Sequence, residues 1–324
     1  MNRRHITLSG LAAAASLALT KAFAQDWPAK PIRLLLSQPP GSGVDTIARL
    51  LGEHLGKKWS QPVVVENKPG GQNVIGAQQA ARSAADGYNF YFATAAALVS
   101  NRYLFKALPY DPVKDFVPVA LVAKVPFALL VNPAVPVHNL QEFIARAKAQ
   151  PGKVSVANEG PKTFSGILSR LFNARAGIDT NLIAYVSVGA GVTDTVGGQT
   201  DAILCDIPSA AQMVKQGRLR PIAVTTAKRV AGWDDVPPLA DTLPGFDFAG
   251  WFGVVAPVGT PEAALRRFAA DTSAYLGDKD VAARILSIGP IAETGGTPES
   301  FSTFLASEHE RWSRLTKEIG LLPE

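Results

Sequence analysis

The sequence predicts an α/β fold with mostly parallel sheets covered on both faces, divided into two domains of which the second is inserted into the first. Three observations predict it. Short apolar runs of strand length alternate with amphipathic helical stretches along most of the chain. Two apolar segments, residues 117–132 and 221–226, read as crossings between domains and enclose a smaller α/β unit. Removing an N-terminal leader leaves 300 residues, enough for two domains of ordinary size.

The leader comes first. Arg3 and Arg4 precede an apolar run over residues 8–19, and Ala22-Phe23-Ala24 offers a small-x-small cleavage site, so a signal peptide cut after Ala24 is expected. The run is too short for a bilayer, which needs about 20 residues. The paired arginines fit either the general secretory route or a twin-arginine route. No cysteine follows the run, which argues against a lipid anchor, and a periplasmic location is expected. Loss of Arg3, Arg4 and Lys21 lowers the formal charge from +5 to +2. No dense basic cluster interleaves with aromatics, which excludes nucleic acid as an expected partner. The single cysteine, Cys205, lies in an apolar run and reads as a small buried hydrophobe. The four histidines are too scattered for a zinc site, and neither metal nor cofactor is expected.

After the leader, residues 32–37 read as a buried strand and 45–59 as a helix with Ile47, Leu50, Leu51 and Leu55 on one stripe. A strand at 62–66, an alanine-rich helix at 75–84 and a strand at 90–93 follow. The first crossing, broken at Lys124 and Pro126, leads to a helix opened by Asn139-x-x-Glu142 and closed by Pro151-Gly152. Strands at 154–157, 182–186 and 201–205 then alternate with helices at 163–176, 192–196 and 210–216. Past the second crossing come a strand at 251–257 and helices at 261–276, 280–288 and 298–318. Domain one is therefore residues 25–122 with 227–324, and domain two is 123–226.

Candidate site residues cluster in loops that follow strands. Pro39-Pro40-Gly41-Ser42-Gly43-Val44-Asp45 joins the first strand to the first helix. Glycines admit close backbone approach and a helix N-terminus presents free N–H groups, a setting that favours an anion. The loop lacks the spacing of a nucleotide loop. It reads equally as a plain connector with Asp45 as a cap. Asn158-Glu159-Gly160-Pro161-Lys162-Thr163-Phe164-Ser165 is a second such loop, with Thr163 as N-cap and Lys162 either a site cation or a solvated lysine. Thr94, Ala95 and Ala96 follow a third strand; Tyr185, Gly189, Ala190 and Asp206 complete the set, with Tyr185 reading equally as a packed core residue. No catalytic set converges: Ser42 or Ser165 with Asp45 and a histidine is the best available, and no Gly-x-Ser-x-Gly elbow is present.

Several motifs occur in a specific order. Trp27-Pro28-x-Lys30-Pro31-Ile32-Arg33 leads to the double-proline loop. Gln61-Pro62-Val63-Val64-Val65-Glu66-Asn67-Lys68-Pro69-Gly70-Gly71, Asp86-Gly87-Tyr88 and Leu108-Pro109-Tyr110-Asp111-Pro112 follow. Gly197-Gly198-Gln199, Ala223-Val224-Thr225-Thr226 and Trp251-Phe252-Gly253 come later. This run, over essentially the whole exported chain, resembles the Bug/TctC family, the extracytoplasmic receptors of tripartite tricarboxylate transporters. The resemblance implies a two-domain Venus-flytrap fold of the type II periplasmic-binding class. It also implies a small carboxylate ligand and a membrane permease of two integral proteins as partner. No catalysis is expected, and the receptor is expected to be monomeric. In that family backbone amides and ordered waters hold the ligand carboxylate at two loops, here Pro40 to Asp45 and Gly160 to Ser165.

This chain departs from the family pattern in four places. Gln38 stands for a phenylalanine, and Ala95-Ala96-Ala97 for a Ser/Thr/Gly-rich loop. Ala184-Tyr185-Val186-Ser187 replaces Pro-Tyr-Lys-Gly, and Lys162 with Ser165-Gly166 replaces a small polar run and Ser-His. A more apolar far wall is expected, which favours a monocarboxylate or aromatic acid over a citrate-like polyanion. Two other readings share the architecture: a receptor for a signalling partner, and an exported hydrolase or isomerase.

Overall fold

The computed structural model describes residues 27–323; the leader and its cleavage point at Ala24 lie outside the described residues. The chain opens with β1 (Ile32–Leu36), α1 (Gly43–Trp59), β2 (Val63–Asn67), α2 (Val74–Ala81) and β3 (Asn89–Thr94). A wide helical turn over Ala96–Ser100 leads into the single turn α3 (Asn101–Leu104) and then β4 (Phe116–Val131). Next come α4 (Leu140–Ala149), β5 (Ser155–Asn158), α5 (Phe164–Ala176), β6 (Asn181–Ala184) and α6 (Val188–Val196). They are followed by β7 (Ala202–Asp206), α7 (Ile207–Lys215) and β8 (Arg220–Val224). The chain finishes with β9 (Ala249–Pro257), α8 (Glu262–Leu276), α9 (Lys279–Ile288), β10 (Ile291–Ala292) and α10 (Pro298–Glu318).

The strands form a continuous path, β2-β1-β3-β9-β4-β7-β5-β6. Its two outer wings are parallel: β1 pairs with β2 and β3, and β5 pairs with β6 and β7. The middle is antiparallel, because β9 returns alongside both β3 and β4. β4 belongs to both wings. Up to Pro126 it pairs with β9, from Phe127 to Val131 with β7, and from Ala128 to Val131 also with β8. The apolar segment at 117–132 is thus one strand, continuous through Lys124 and Pro126. Lys124 is accommodated by an ion pair to Glu293 at 3.0 Å, and Pro126 sits opposite Ala249, the first residue of β9. Register shifts between Pro118 and Ala120 and between Leu121 and Ala123 let so long a strand curl. Thr225, fully buried, fastens the second crossing to the first: its amide donates to Phe127 O at 2.9 Å and its hydroxyl to Phe248 O at 2.6 Å.

Local sequence explains the elements. In α1, Ile47, Leu51 and Leu55 recur at helical spacing and are buried, with Leu50 half-buried at the margin. Burying each of the three contributes about 1.5–3 kcal/mol, so a truncation such as Leu51→Ala would damage this face. The helix stops at Ser60, which adopts the left-handed conformation with φ 53°. In α4, Asn139 caps as its motif predicts, accepting from Glu142 N at 2.9 Å; Glu142 reaches back to the amide of His138 at 2.7 Å. Cys205 is buried between the sheet and its covering helices, and that burial pushes its thiol pKa well up.

Candidate functional site

The strands β1, β3, β5 and β7 all end at one cavity of about 600 Å³, lying where the carboxyl ends of the two parallel wings face each other. Its polar lining comes from Gln38, Ser42, Gly43 and Thr94 of the first wing and from Glu159, Asp206 and Ser209 of the second. Its apolar wall is Val125 and Phe127 of β4, Phe164 and Val188 from the helix starts opposite, and Trp251 and Phe252 of β9. Ala95, Ile288, Pro208 and Pro290 close the rim. Among the described residues no lysine, arginine or histidine lines it.

The first loop is built from within. Ser42 is the N-cap of α1, its hydroxyl accepting from Asp45 N at 3.2 Å. Asp45, read from sequence as a cap, instead sits within the first turn, three residues after the cap, and is buried. Its carboxylate accepts from Gly41 N at 2.9 Å, Arg49 Nε at 2.9 Å and Asn67 Nδ2 at 2.8 Å. Burial works to raise the Asp45 pKa, but the donors Arg49, Asn67 and Gly41 outweigh it and hold the carboxyl below its ordinary value. This clamp fixes a turn in which Gly41 has φ 80°. The first amides of a helix lack intrahelical partners; with Asp45 N taken by Ser42, those of Gly43 and Val44 remain at the cavity wall. Pro40, Gly41 and Asp45 shape the loop from outside the cavity lining.

Around the rest of the first wing, Gln38 lines the cavity while its side-chain amide donates to Asn73 Oδ1 at 2.6 Å. Thr94 ends β3 with its Oγ1 buried and without a hydrogen-bond partner. Ala95 lines the cavity; Ala96 turns away into the helical turn that follows.

The second loop satisfies its own polar groups. Thr163 caps α5, accepting from Gly166 N at 3.2 Å, and Ser165 Oγ accepts from Glu159 N at 3.0 Å. Gly160 folds so closely over Gly166 that a Cβ at 166 would lie 1.9 Å from its carbonyl oxygen. Gly160, Thr163 and Ser165 therefore stand behind the wall, and Glu159 and Phe164 present themselves to the cavity. Lys162 Nζ lies 5.5 Å from the ring centre of Phe105, outside the lining. Tyr185 is half-buried with its hydroxyl donating to Asp194 Oδ2 at 2.9 Å, the packed alternative; Gly189 and Ala190 begin α6 beyond the lining.

Asp206 caps α7, accepting from Ser209 N at 3.0 Å and from the Ser209 hydroxyl at 2.8 Å. Burial raises its pKa more than the Ser209 donors lower it. Burial also raises the Glu159 carboxyl, the charge of Asp206 raises it further, and the Ser165 hydroxyl opposes both. Sequence reasoning passed over Glu159 as a site residue, along with Phe127, Phe164, Phe252 and Ser209. Glu159 carried a weak signal, lying in a flagged loop; the aromatic residues carried none, since a cavity wall and a core strand have the same apolar pattern.

The serines have no catalytic partners. His54 packs on the Tyr275 ring at 4.4 Å and His309 on Tyr103 at 6.2 Å, and no histidine among the described residues lines the cavity. Among the described residues no group of His, Cys, Asp and Glu could hold a metal ion, and no helix is long and apolar enough to cross a membrane.

Two parallel wings joined by shared antiparallel strands, with a ligand-sized cavity between their strand ends, define the two-domain periplasmic binding-protein class. Within that class the chain belongs to the tripartite tricarboxylate transporter receptor family, whose model matches residues 47–321. It is 33% identical over 317 residues to the protein BugT of Bordetella pertussis, covering 97% of this chain and 95% of BugT. A solved R. palustris protein, Rpa4515 with adipate, superposes with a TM-score of 0.83 at 28% identity, covering 92% of this chain and 100% of that one. MatC of Rhodopseudomonas palustris with bound malate gives 0.76 at 27% identity, covering 89% and 99%. The family is one of periplasmic solute-binding receptors, not enzymes.

Proposed function

We propose that this chain, cut after Ala24 and monomeric in the periplasm, captures a small carboxylate and presents it to a membrane permease of two integral proteins. The observation that carries the carboxylate is a group of three unused donors at one end of the cavity: the Gly43 and Val44 amides at the start of α1 and the partnerless Thr94 hydroxyl. The acids named with the two solved relatives, adipate and malate, support the same class. The apolar wall formed by Val125, Phe127 and Phe252 favours a ligand with a hydrocarbon or aromatic body over a citrate-like polyanion.

Residues 25–122 and 227–324 form one lobe and 123–226 the other, hinged where Thr225 holds Phe127 to Phe248. Ligand contacts drawn from both lobes exist in full only when they approach, so ligand shifts the population towards closure. A thermal-shift screen against mono-, di- and tricarboxylates, aromatic acids and amino acids tests the reading. A ligand at about a hundred times its Kd adds roughly 2.7 kcal/mol, a rise of several degrees. Silence across the panel would remove the carboxylate. A hit without a smaller radius of gyration in solution scattering would remove lobe closure.

A further inference from the structure

We infer that Glu159 and Asp206 form a subsite for a positively charged group, so that the ligand is an amino-carboxylate with a carboxylate at one end and an ammonium at the other. This rests on the carboxylate-receptor reading above and deepens it. The two acids stand at the ends of β5 and β7, which run side by side in parallel with Val156 opposite Ala202 and Ala157 opposite Ile203. Continued by two residues, that register sets Glu159, just past β5, opposite Cys205 and so one residue short of Asp206, the last residue of β7, near enough for the charge of Asp206 to act on Glu159. Both side chains line the cavity.

Nothing basic answers them. Among the described residues no cation lines the cavity, and the two carboxylates are steadied by hydrogen bonds from Ser165, from Ser209 and from the Asp206 backbone. The nearest lysine in sequence, Lys162, lies outside the cavity lining, its Nζ 5.5 Å from the centre of the Phe105 ring. Two acids withdrawn from water without a countercharge are costly, and their raised pKa values reflect that cost. A ligand cation would offset it, whereas a second ligand carboxylate would add a third like charge.

The opposite wing has the reverse character. Thr94 is nine-tenths buried, lines the same cavity, and its Oγ1 has no partner; the Gly43 and Val44 amides stand beside it on the same wing. Hydrogen-bond donors on one wing, carboxylates on the other and the apolar wall of Val125 and Phe127 between them match a zwitterion whose charges are separated by methylene groups. A dicarboxylate matches one end only.

The test is a calorimetric titration of the purified exported protein with ω-amino acids from β-alanine to ε-aminocaproate. Each is paired with the dicarboxylate and the plain fatty acid of equal chain length. The expected result is one amino acid binding roughly tenfold or more tighter than both partners. That preference should fall to near parity in Glu159→Gln and in Asp206→Asn, each of which keeps shape and, at 206, a capping oxygen. A dicarboxylate or fatty acid binding tighter than its amino partner overturns the cation subsite and leaves the carboxylate receptor standing. A preference that survives both substitutions also overturns the subsite. Binding of no acid at any length overturns the subsite and the receptor reading together.

Discussion

The carboxylate of Asp45 accepts the amide of Gly41 at 2.9 Å and so closes the double-proline loop on the helix it opens. A residue with no surface in the cavity thereby decides where the Gly43 and Val44 amides point. Asp45→Ala removes three donors' common acceptor and is expected to cost about 2–3 kcal/mol in urea unfolding, with ligand affinity falling alongside. The pH dependence has a definite sign. The Asp45 pKa is lowered in the folded state, so its contribution is full above the ordinary value of 3.8 and is lost as pH falls through the folded value. Asp45→Asn should flatten that part of the acid limb in a stability profile; an unchanged limb would show that the clamp contributes nothing.

Thr94 yields the opposite pattern. Its hydroxyl is buried with no hydrogen-bond partner among the described residues, and a buried polar group without a partner costs about 1–3 kcal/mol. Thr94→Val keeps the shape and removes the cost. The variant should melt no lower than the parent, and up to about 1 kcal/mol more stably, while binding its carboxylate more weakly. A loss of stability with affinity intact would assign the hydroxyl to the fold.

Much of this was legible in the sequence because cap chemistry is local. Asn139 and Thr163 are read within three or four residues, and the structure places both where their hydrogen bonds require; at the first helix the sequence offers Asp45, and the cap is Ser42, three residues earlier. The alternation of strands and helices is local in the same way. The cavity is not. Glu159 faces it because β5 pairs with β7 some 46 residues on, as the Ser155–Asp201 hydrogen bonds record. Tyr185 leaves it because Asp194, nine residues later, takes its hydroxyl. Phe127 and Phe252 are wall residues through the pairing of distant strands, and their apolar character alone assigns them to any buried surface.

Glu159 should also mark the stability profile. Its folded pKa is raised, first by burial and then by Asp206, so the folded state holds its proton more tightly than the unfolded chain does. Its contribution is therefore present below the ordinary value of 4.5 and is lost as pH rises through the folded value. At neutral pH, without ligand, Glu159→Gln should be more stable than the parent, and the gap should close as the solution is acidified below the ordinary carboxyl range. A glutamine variant less stable at neutral pH would mean that the charge has a partner in solution.

The rim offers a steric test. Gly289 adopts φ 118°, between the cavity residues Ile288 and Pro290, and a Cβ there would meet Pro208 Cγ at 2.2 Å. Pro208 belongs to α7 of the segment between the crossings, and Gly289 to the turn after α9, so this contact joins the two sides across the cavity mouth. Gly289→Ala cannot be absorbed by a flexible side chain, since a proline ring is the obstacle, and the backbone strain adds about 1–3 kcal/mol. The two rims must part. Under lobe closure, the variant should bind ligand more weakly and, even when saturated, keep a larger radius of gyration than the saturated parent. Equal compaction in both would mean that the rims pass each other without this contact, and closure would then have to turn on the Thr225 crossing alone.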